Sequence, residues 1–113
     1  MWPFRRSPAL EPESARLLWI DDEGDVDVFK CVAEAERYVE HWALDDSDVI
    51  VDEMGTRFEA RAQKRVVRLH AIGEADWNRV RERLAEAGCD AATGQDEPPA
   101  LFDSLERVYG LTR

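Results

Sequence analysis

The sequence predicts an α+β domain, in which an antiparallel sheet of about five strands carries helices on one face, in the order ββαβββαα. Three observations predict this class. Short β-type runs come in two groups, turn residues separate the runs within each group, and stretches with helical spacing follow both groups. Strands that are grouped in this way favour antiparallel pairing.

The first group is a hairpin followed by a helix. Leu17–Ile20 and Val26–Phe29 flank an acidic turn, in which Gly24 supplies a residue suited to positive φ. Apolar side chains then recur with helical spacing, which predicts one helix over residues 32–43. These side chains are Val32, Ala35, Val39 and Trp42.

The second group is a three-stranded meander followed by two helices. Residues 49–51 form an apolar run typical of a buried strand, and residues 57–61 alternate between apolar and charged side chains. A turn at Gln63-Lys64 leads into a third strand over residues 65–70. Helical spacing predicts the two helices over residues 74–87 and 100–109, with a polar loop over residues 90–99 between them.

The length of 113 residues predicts a single domain, residues 14–113, because a chain of this size buries roughly 65% of its unfolded surface in one core. Residues 1–13 contain three prolines and no sustained periodicity, so we expect a mobile N-terminal arm. No apolar run approaches the roughly 20 residues of a membrane span. No secretory signal is recognisable either, so we expect a cytoplasmic protein with reduced cysteines. Thirteen arginines against two lysines favour a GC-rich bacterial source.

Charge is distributed unevenly along the chain. The formal net charge is −10, and residues 20–53 carry thirteen acidic groups against Lys30 and Arg37, for −11. Residues 54–83 carry eight basic groups against four acidic ones, for +4. A negative total repels nucleic acid, so a generic phosphate-backbone binder is not expected.

The acidic segment is the candidate binding surface. Crowded carboxylates repel one another, and a cationic partner relieves that repulsion, although a highly charged surface also serves solubility alone. Trp42 lies close to acidic residues, and interface hot spots favour tryptophan rimmed by polar groups, whereas its place on an apolar stripe is also typical of a core residue. The predicted partner-binding residues are Asp21, Asp22, Glu23, Asp25, Asp27, Trp42, Asp45, Asp46 and Asp48.

Motifs for catalysis, metal binding and cofactor binding are missing from the sequence. Cys31, His41, His70 and Cys89 are too widely spaced to form a local chelate, and neither a nucleophile elbow nor a Gly-rich phosphate loop occurs. We therefore expect a non-enzymatic protein with no metal and no cofactor.

Two alternatives stay open. Leu17-Leu-Trp-Ile-Asp-Asp-Glu23 and Val49-Ile-Val-Asp52 resemble strands of a response-regulator receiver domain, in which Asp21, Asp22, Asp52 and Glu53 would surround Mg²⁺. The chain is too short between these strands for the receiver pattern, and its later Ser/Thr and Lys strands are missing. The other alternative is a self-associating scaffold, in which an exposed meander edge pairs with its copy.

A family resemblance favours protein binding. The stretch from Trp19 to Glu40, continued by the stretch from Val49 to Phe58, resembles the hairpin, helix and strands that begin small bacterial immunity proteins of polymorphic toxin systems. The resemblance implies a non-catalytic inhibitor that occupies a toxin, commonly with acidic groups facing a basic nuclease. It transfers no particular contact residue.

Overall fold

The computed structural model describes residues 14–89 and 97–112, so the predicted arm at residues 1–13 and most of the predicted polar loop lie outside it. The described residues form an α+β fold in the predicted order ββαβββαα. The strands are β1 (Leu17–Ile20), β2 (Val26–Phe29), β3 (Val49–Asp52), β4 (Thr56–Gln63) and β5 (Val66–Glu74). The helices are α1 (Val32–Tyr38), α2 (Trp77–Glu86) and α3 (Pro98–Tyr109), with a short 3₁₀ turn at His41–Ala43.

The sheet has the strand order β2-β1-β3-β4-β5, and every neighbouring pair is antiparallel. The predicted hairpin is β1–β2, and the predicted meander is β3–β4–β5. Ile20 pairs with Val26 on one side and with Val49 on the other, so β1 ends where β2 and β3 begin. This end of the sheet therefore carries both the β1–β2 turn and the loop that enters β3.

The helices do not share one face, and that detail of the prediction is wrong. Leu18 and Ile20 project into a core cluster with α2 and α3, whereas Leu17 and Trp19 project from the opposite face into a cluster with Ala35 of α1. All four residues of β1 are buried, because this interior strand has helices on both of its faces.

Several predicted boundaries also differ from the structure. Strand β5 continues to Glu74 rather than ending at residue 70, and helix α3 begins at Pro98 rather than at residue 100. The predicted helix over residues 32–43 ends at Tyr38, because Val39 has an extended backbone, and the chain resumes as the 3₁₀ turn. The turn between β4 and β5 is Lys64-Arg65 rather than Gln63-Lys64. Helix α2 begins at Trp77, where Asp76 accepts a hydrogen bond from the Arg79 backbone N–H at 3.1 Å.

Both edge strands receive a contact from elsewhere in the chain. Thr112 lies beside β2 and donates its backbone N–H to the Val28 carbonyl at 2.7 Å. On β5, the Leu69 backbone N–H donates to the Glu36 carboxylate of α1 at 2.8 Å, and a β-bulge interrupts the β4–β5 ladder further along. Capped donors and bulges are devices that hinder edge-to-edge pairing.

Arg16 ties helix α3 to the sheet. Its guanidinium forms ion pairs with Glu53 at 2.8 Å, Asp103 at 2.8 Å and Glu106 at 3.1 Å, and it lies over the Phe102 ring. Burial alone would raise the pKa of the Glu53 carboxyl, but hydrogen bonds from Arg16 outweigh it and hold that pKa below its usual value. This cluster is structural and lies away from the acidic turn.

Candidate protein-binding site

Two acidic loops lie at the same end of the sheet. One is the β1–β2 turn, which contains Asp21, Asp22, Glu23 and Asp25, and the other is the loop before β3, which contains Asp45, Asp46 and Asp48. They are neighbours because β1 ends between the first residues of β2 and β3. We call these seven residues the acidic end. Distant parts of the sequence thus form one surface.

Arg83 of α2 joins the two loops. Its Nη1 donates to the Ser47 carbonyl at 2.7 Å, and its Nη2 donates to the Asp21 carbonyl. The side chain is only 8% exposed, so a buried guanidinium bonds to backbone oxygens from both loops. Hydrogen bonds from the Ser47 hydroxyl and backbone lower the pKa of Asp45, and the charge of Arg83 makes a smaller contribution in the same direction.

Local hydrogen bonds shape each loop. The Asp21 carboxylate accepts from the backbone N–H groups of Glu23 and Asp25, both at 2.9 Å. The Asp45 carboxylate accepts from the Ser47 backbone at 2.8 Å and from its hydroxyl at 2.7 Å. Such short-range bonds are the reason that aspartate is favoured in turns. The loops are therefore fixed by their own side chains.

The carboxylates of the acidic end act on one another electrostatically. Burial raises the pKa of Asp48 above its usual value, and the charges of Asp21 and Asp22 raise it further, against hydrogen bonds from the Asp45 backbone and the Trp19 indole. An influence between the two loops requires that they lie close together. One oxygen of Asp48, Oδ1, is buried without a hydrogen-bond partner among the described residues.

Asp27 differs from the other predicted aspartates. It lies within β2, half-buried, and accepts a hydrogen bond from the Thr112 hydroxyl at 2.9 Å. Burial raises its pKa despite that bond, with further contributions from Asp21 and Asp25. Asp27 thus adds to the negative field, but its carboxylate is engaged in attaching the C-terminal residues to β2.

The ion pairs among the described residues do not involve the acidic end. Besides the Arg16 cluster, they join Arg37 to Glu34, Arg61 to Glu59, Arg68 to Glu36 and Arg79 to Glu82. None of these pairs contains a residue of the acidic end or Asp27. The negative charge of this surface is therefore not neutralised by ion pairs within the described part of the chain.

Trp42 is 74% exposed and lies in the 3₁₀ turn that precedes the second acidic loop. The core alternative for this residue is wrong, because the helix ends before it. Trp19 is buried, and Trp77 packs against the core, edge-on to Phe102. Among the tryptophans of the described chain, Trp42 is thus the one that presents its ring to solvent.

A groove of about 600 Å³ opens beside the second acidic loop. Asp45, Asp46 and Asp48 line it together with Arg57, Ile72 and Arg79. Its lining combines carboxylates, guanidinium groups and an exposed aliphatic side chain. This composition suits contact with polar side chains of another macromolecule.

The receiver-like arrangement does not form. Because β1 and β3 are antiparallel, with Leu17 opposite Asp52, Asp21 and Asp22 lie at one end of the sheet while Asp52 and Glu53 lie at the other. Asp52 accepts hydrogen bonds from the Met54 and Thr56 backbones instead. No group of His, Cys, Asp or Glu side chains within residues 14–89 and 97–112 could hold a metal ion.

Sequence reasoning missed Arg83 and Ser47, which position the two acidic loops. Arg83 belonged to a segment of positive charge, and nothing in its local pattern indicated that it would turn inward between carbonyls. The sequence did contain a signal for this burial. Arg83 follows Val80 by three positions and therefore lies on the apolar side of the helix.

Comparison with protein-family models, with curated proteins and with solved structures finds no match for this chain. In the described part of the chain, no helix is both long and apolar enough to cross a membrane. The site geometry is therefore the basis on which function is inferred.

Proposed function

We propose that this chain is a non-catalytic protein-binding module, an immunity-type inhibitor that presents its acidic end to a cationic protein partner. The observation that carries the proposal is the joining of two acidic loops by Arg83 at one end of the sheet, with their carboxylates outside the ion pairs of the described residues. A partner that supplies cations would relieve the repulsion within this surface.

Two further features support a protein as the partner. The exposed Trp42 ring offers a large, rigid apolar contact beside the carboxylates, which is the composition of an interface hot spot. The loops are also held in place by Asx-type hydrogen bonds and by Arg83, so little ordering entropy is lost on binding. Opposite charge would speed the encounter, and the aromatic contact would lengthen the residence time.

The test of the inhibitor role is growth protection. The chain is co-expressed with the protein encoded beside its gene, and the survival of the host cells is measured. We expect protection by the wild type and loss of protection when Asp21, Asp22, Asp45 and Asp46 are all replaced by Asn. Asparagine keeps the oxygen that accepts the turn hydrogen bonds, so the variant removes charge while preserving loop geometry.

A matched control removes the same number of charges elsewhere. Its four replaced residues are exposed glutamates outside the acidic end: Glu74, Glu82, Glu86 and Glu97, each changed to Gln. This control should protect as the wild type does. Full protection by the aspartate variant, or equal loss in both variants, would contradict the proposed role of the acidic end.

A further inference from the structure

The β4–β5 hairpin has one covered face and one open face. Phe58, Ala60, Val67 and Leu69 pack on the α1 side of the sheet. Side chains on the other face follow from the cross-strand pairs Glu59–His70, Arg61–Arg68 and Gln63–Val66, and every one of these six residues is exposed. Arg57 lies on this face too, since it pairs with Val51. The α1 side of the hairpin is therefore packed against the core, whereas the side chains on its other face are exposed.

The open face is basic. It carries Arg57, Arg61 and Arg68, and the turn adds Lys64 and Arg65, with the carboxylate of Glu59 between Arg57 and Arg61. Arg57 also lines the groove that the second acidic loop borders, whereas the other four cations lie outside that groove. We call these five cations the basic hairpin face. Arg61 pairs with Glu59 at 3.0 Å, and Arg68 reaches Glu36 only at 3.9 Å. Arg57, Lys64 and Arg65 form no ion pair with a described residue.

The turn between β4 and β5 holds two of these cations, Lys64 and Arg65, in a strained backbone conformation. Lys64 and Arg65 have φ values of 52° and 69°, the pattern of a type I′ turn, for which Asn-Gly is the preferred sequence. Left-handed backbone is strained for any L-residue with a Cβ atom. Strained non-glycine residues tend to occur at functional positions, and here both are cations at the tip of a projecting hairpin.

We propose that the basic hairpin face docks an acidic polypeptide segment of another protein. Charge complementarity identifies an anionic occupant. Arg57 and Arg61 lie on the same face of β4, on either side of Glu59, so an extended segment that follows this strand can contact both guanidinium groups. Nucleic acid fits less well, because no Phe, Tyr or Trp on this face could stack with bases.

The test uses a synthetic peptide of about twelve residues that alternates Glu and Thr, titrated into the ¹⁵N-labelled full chain. We expect amide shifts concentrated on β4 and β5. The variant Arg57→Glu/Arg65→Glu should bind this peptide at least about tenfold more weakly. The control Lys30→Glu/Arg107→Glu changes the net charge by the same amount at exposed residues after β2 and on α3, away from the hairpin and the groove, and should bind within about twofold of the wild type. Both variants alter exposed side chains, and their amide spectra report whether the fold is retained.

Four results would overturn the proposal. Tighter binding of an oligothymidylate of equal charge would make the face a phosphate site, and equal weakening in the control would reduce the effect to net charge. A dimer in sedimentation that dissociates only in the Arg57→Glu/Arg65→Glu variant would show that a second copy occupies the face. Absence of peptide shifts at millimolar concentration would likewise refute it.

Discussion

The replacement Arg83→Met tests whether one buried guanidinium holds the acidic end together. Methionine preserves much of the apolar stem but removes the two hydrogen bonds to the Ser47 and Asp21 carbonyls. A hydrogen bond to a charged group contributes about 1.5–3 kcal/mol. The freed carbonyls lie near the surface and can bind water, so the lower end applies, and we expect a loss of about 3 kcal/mol in unfolding free energy.

Urea unfolding followed by tryptophan fluorescence measures this loss. The control Arg79→Met removes an exposed cation from the same helix, whose pair with Glu82 at 3.4 Å contributes only about 0.2–0.5 kcal/mol. Adding salt should restore part of the stability of the Arg83 variant, because the repulsion left between the loops is screened. A loss no larger than that of the control, or no response to salt, would refute the proposed role of Arg83.

Three further predictions concern the acidic end and the hairpin. Replacing Lys64-Arg65 by Asn-Gly should raise the unfolding free energy by about 1 kcal/mol, because it relieves left-handed strain; urea unfolding would show the opposite sign if the turn were not type I′. Asp21→Asn should lower the pKa of both Asp27 and Asp48 in a carboxyl NMR titration, and unchanged values would mean that the two loops are not adjacent. Because those pKa values are raised in the folded chain, both groups favour folding at low pH, and that contribution is lost as the pH rises from the ordinary value of 3.8 through the raised values. Trp42→Ala should change the unfolding free energy by less than about 0.5 kcal/mol yet weaken partner binding by about 2 kcal/mol, as measured by calorimetry; a large stability loss would place the ring in the core.

Local sequence patterns predicted the strands and helices, but they did not predict which face of the sheet each helix covers. The strands and their order follow from period-2 alternation and turn residues, both of which are properties of neighbouring residues. The placement of α1 on the opposite face depends on which side of the sheet the chain crosses. The sequence Leu17-Leu-Trp-Ile20 could have indicated helices on both faces, because an apolar run without alternation is typical of a strand that is buried on both faces.

The sequence predicted which residues form the candidate site, but it predicted their arrangement in space only in part. Clustering of acidic residues in the sequence indicated a negative surface, and the antiparallel pairing of β1 with β3 brings its two loops together. The same pairing separates Asp21 from Asp52, which no local pattern could reveal. The exposure of Trp42 depended on an early helix end at Tyr38, and helix ends are the least certain part of a periodicity argument.

The most direct test of the account is the rate at which the chain associates with the protein encoded beside its gene, measured by stopped-flow fluorescence across ionic strengths. If the acidic end attracts a cationic partner, the association rate should fall by about tenfold or more between about 0.02 and 0.5 M salt. Replacing Asp21, Asp22, Asp45 and Asp46 by Asn should flatten that dependence. A rate that does not change with salt, or one that rises with it, would contradict the account.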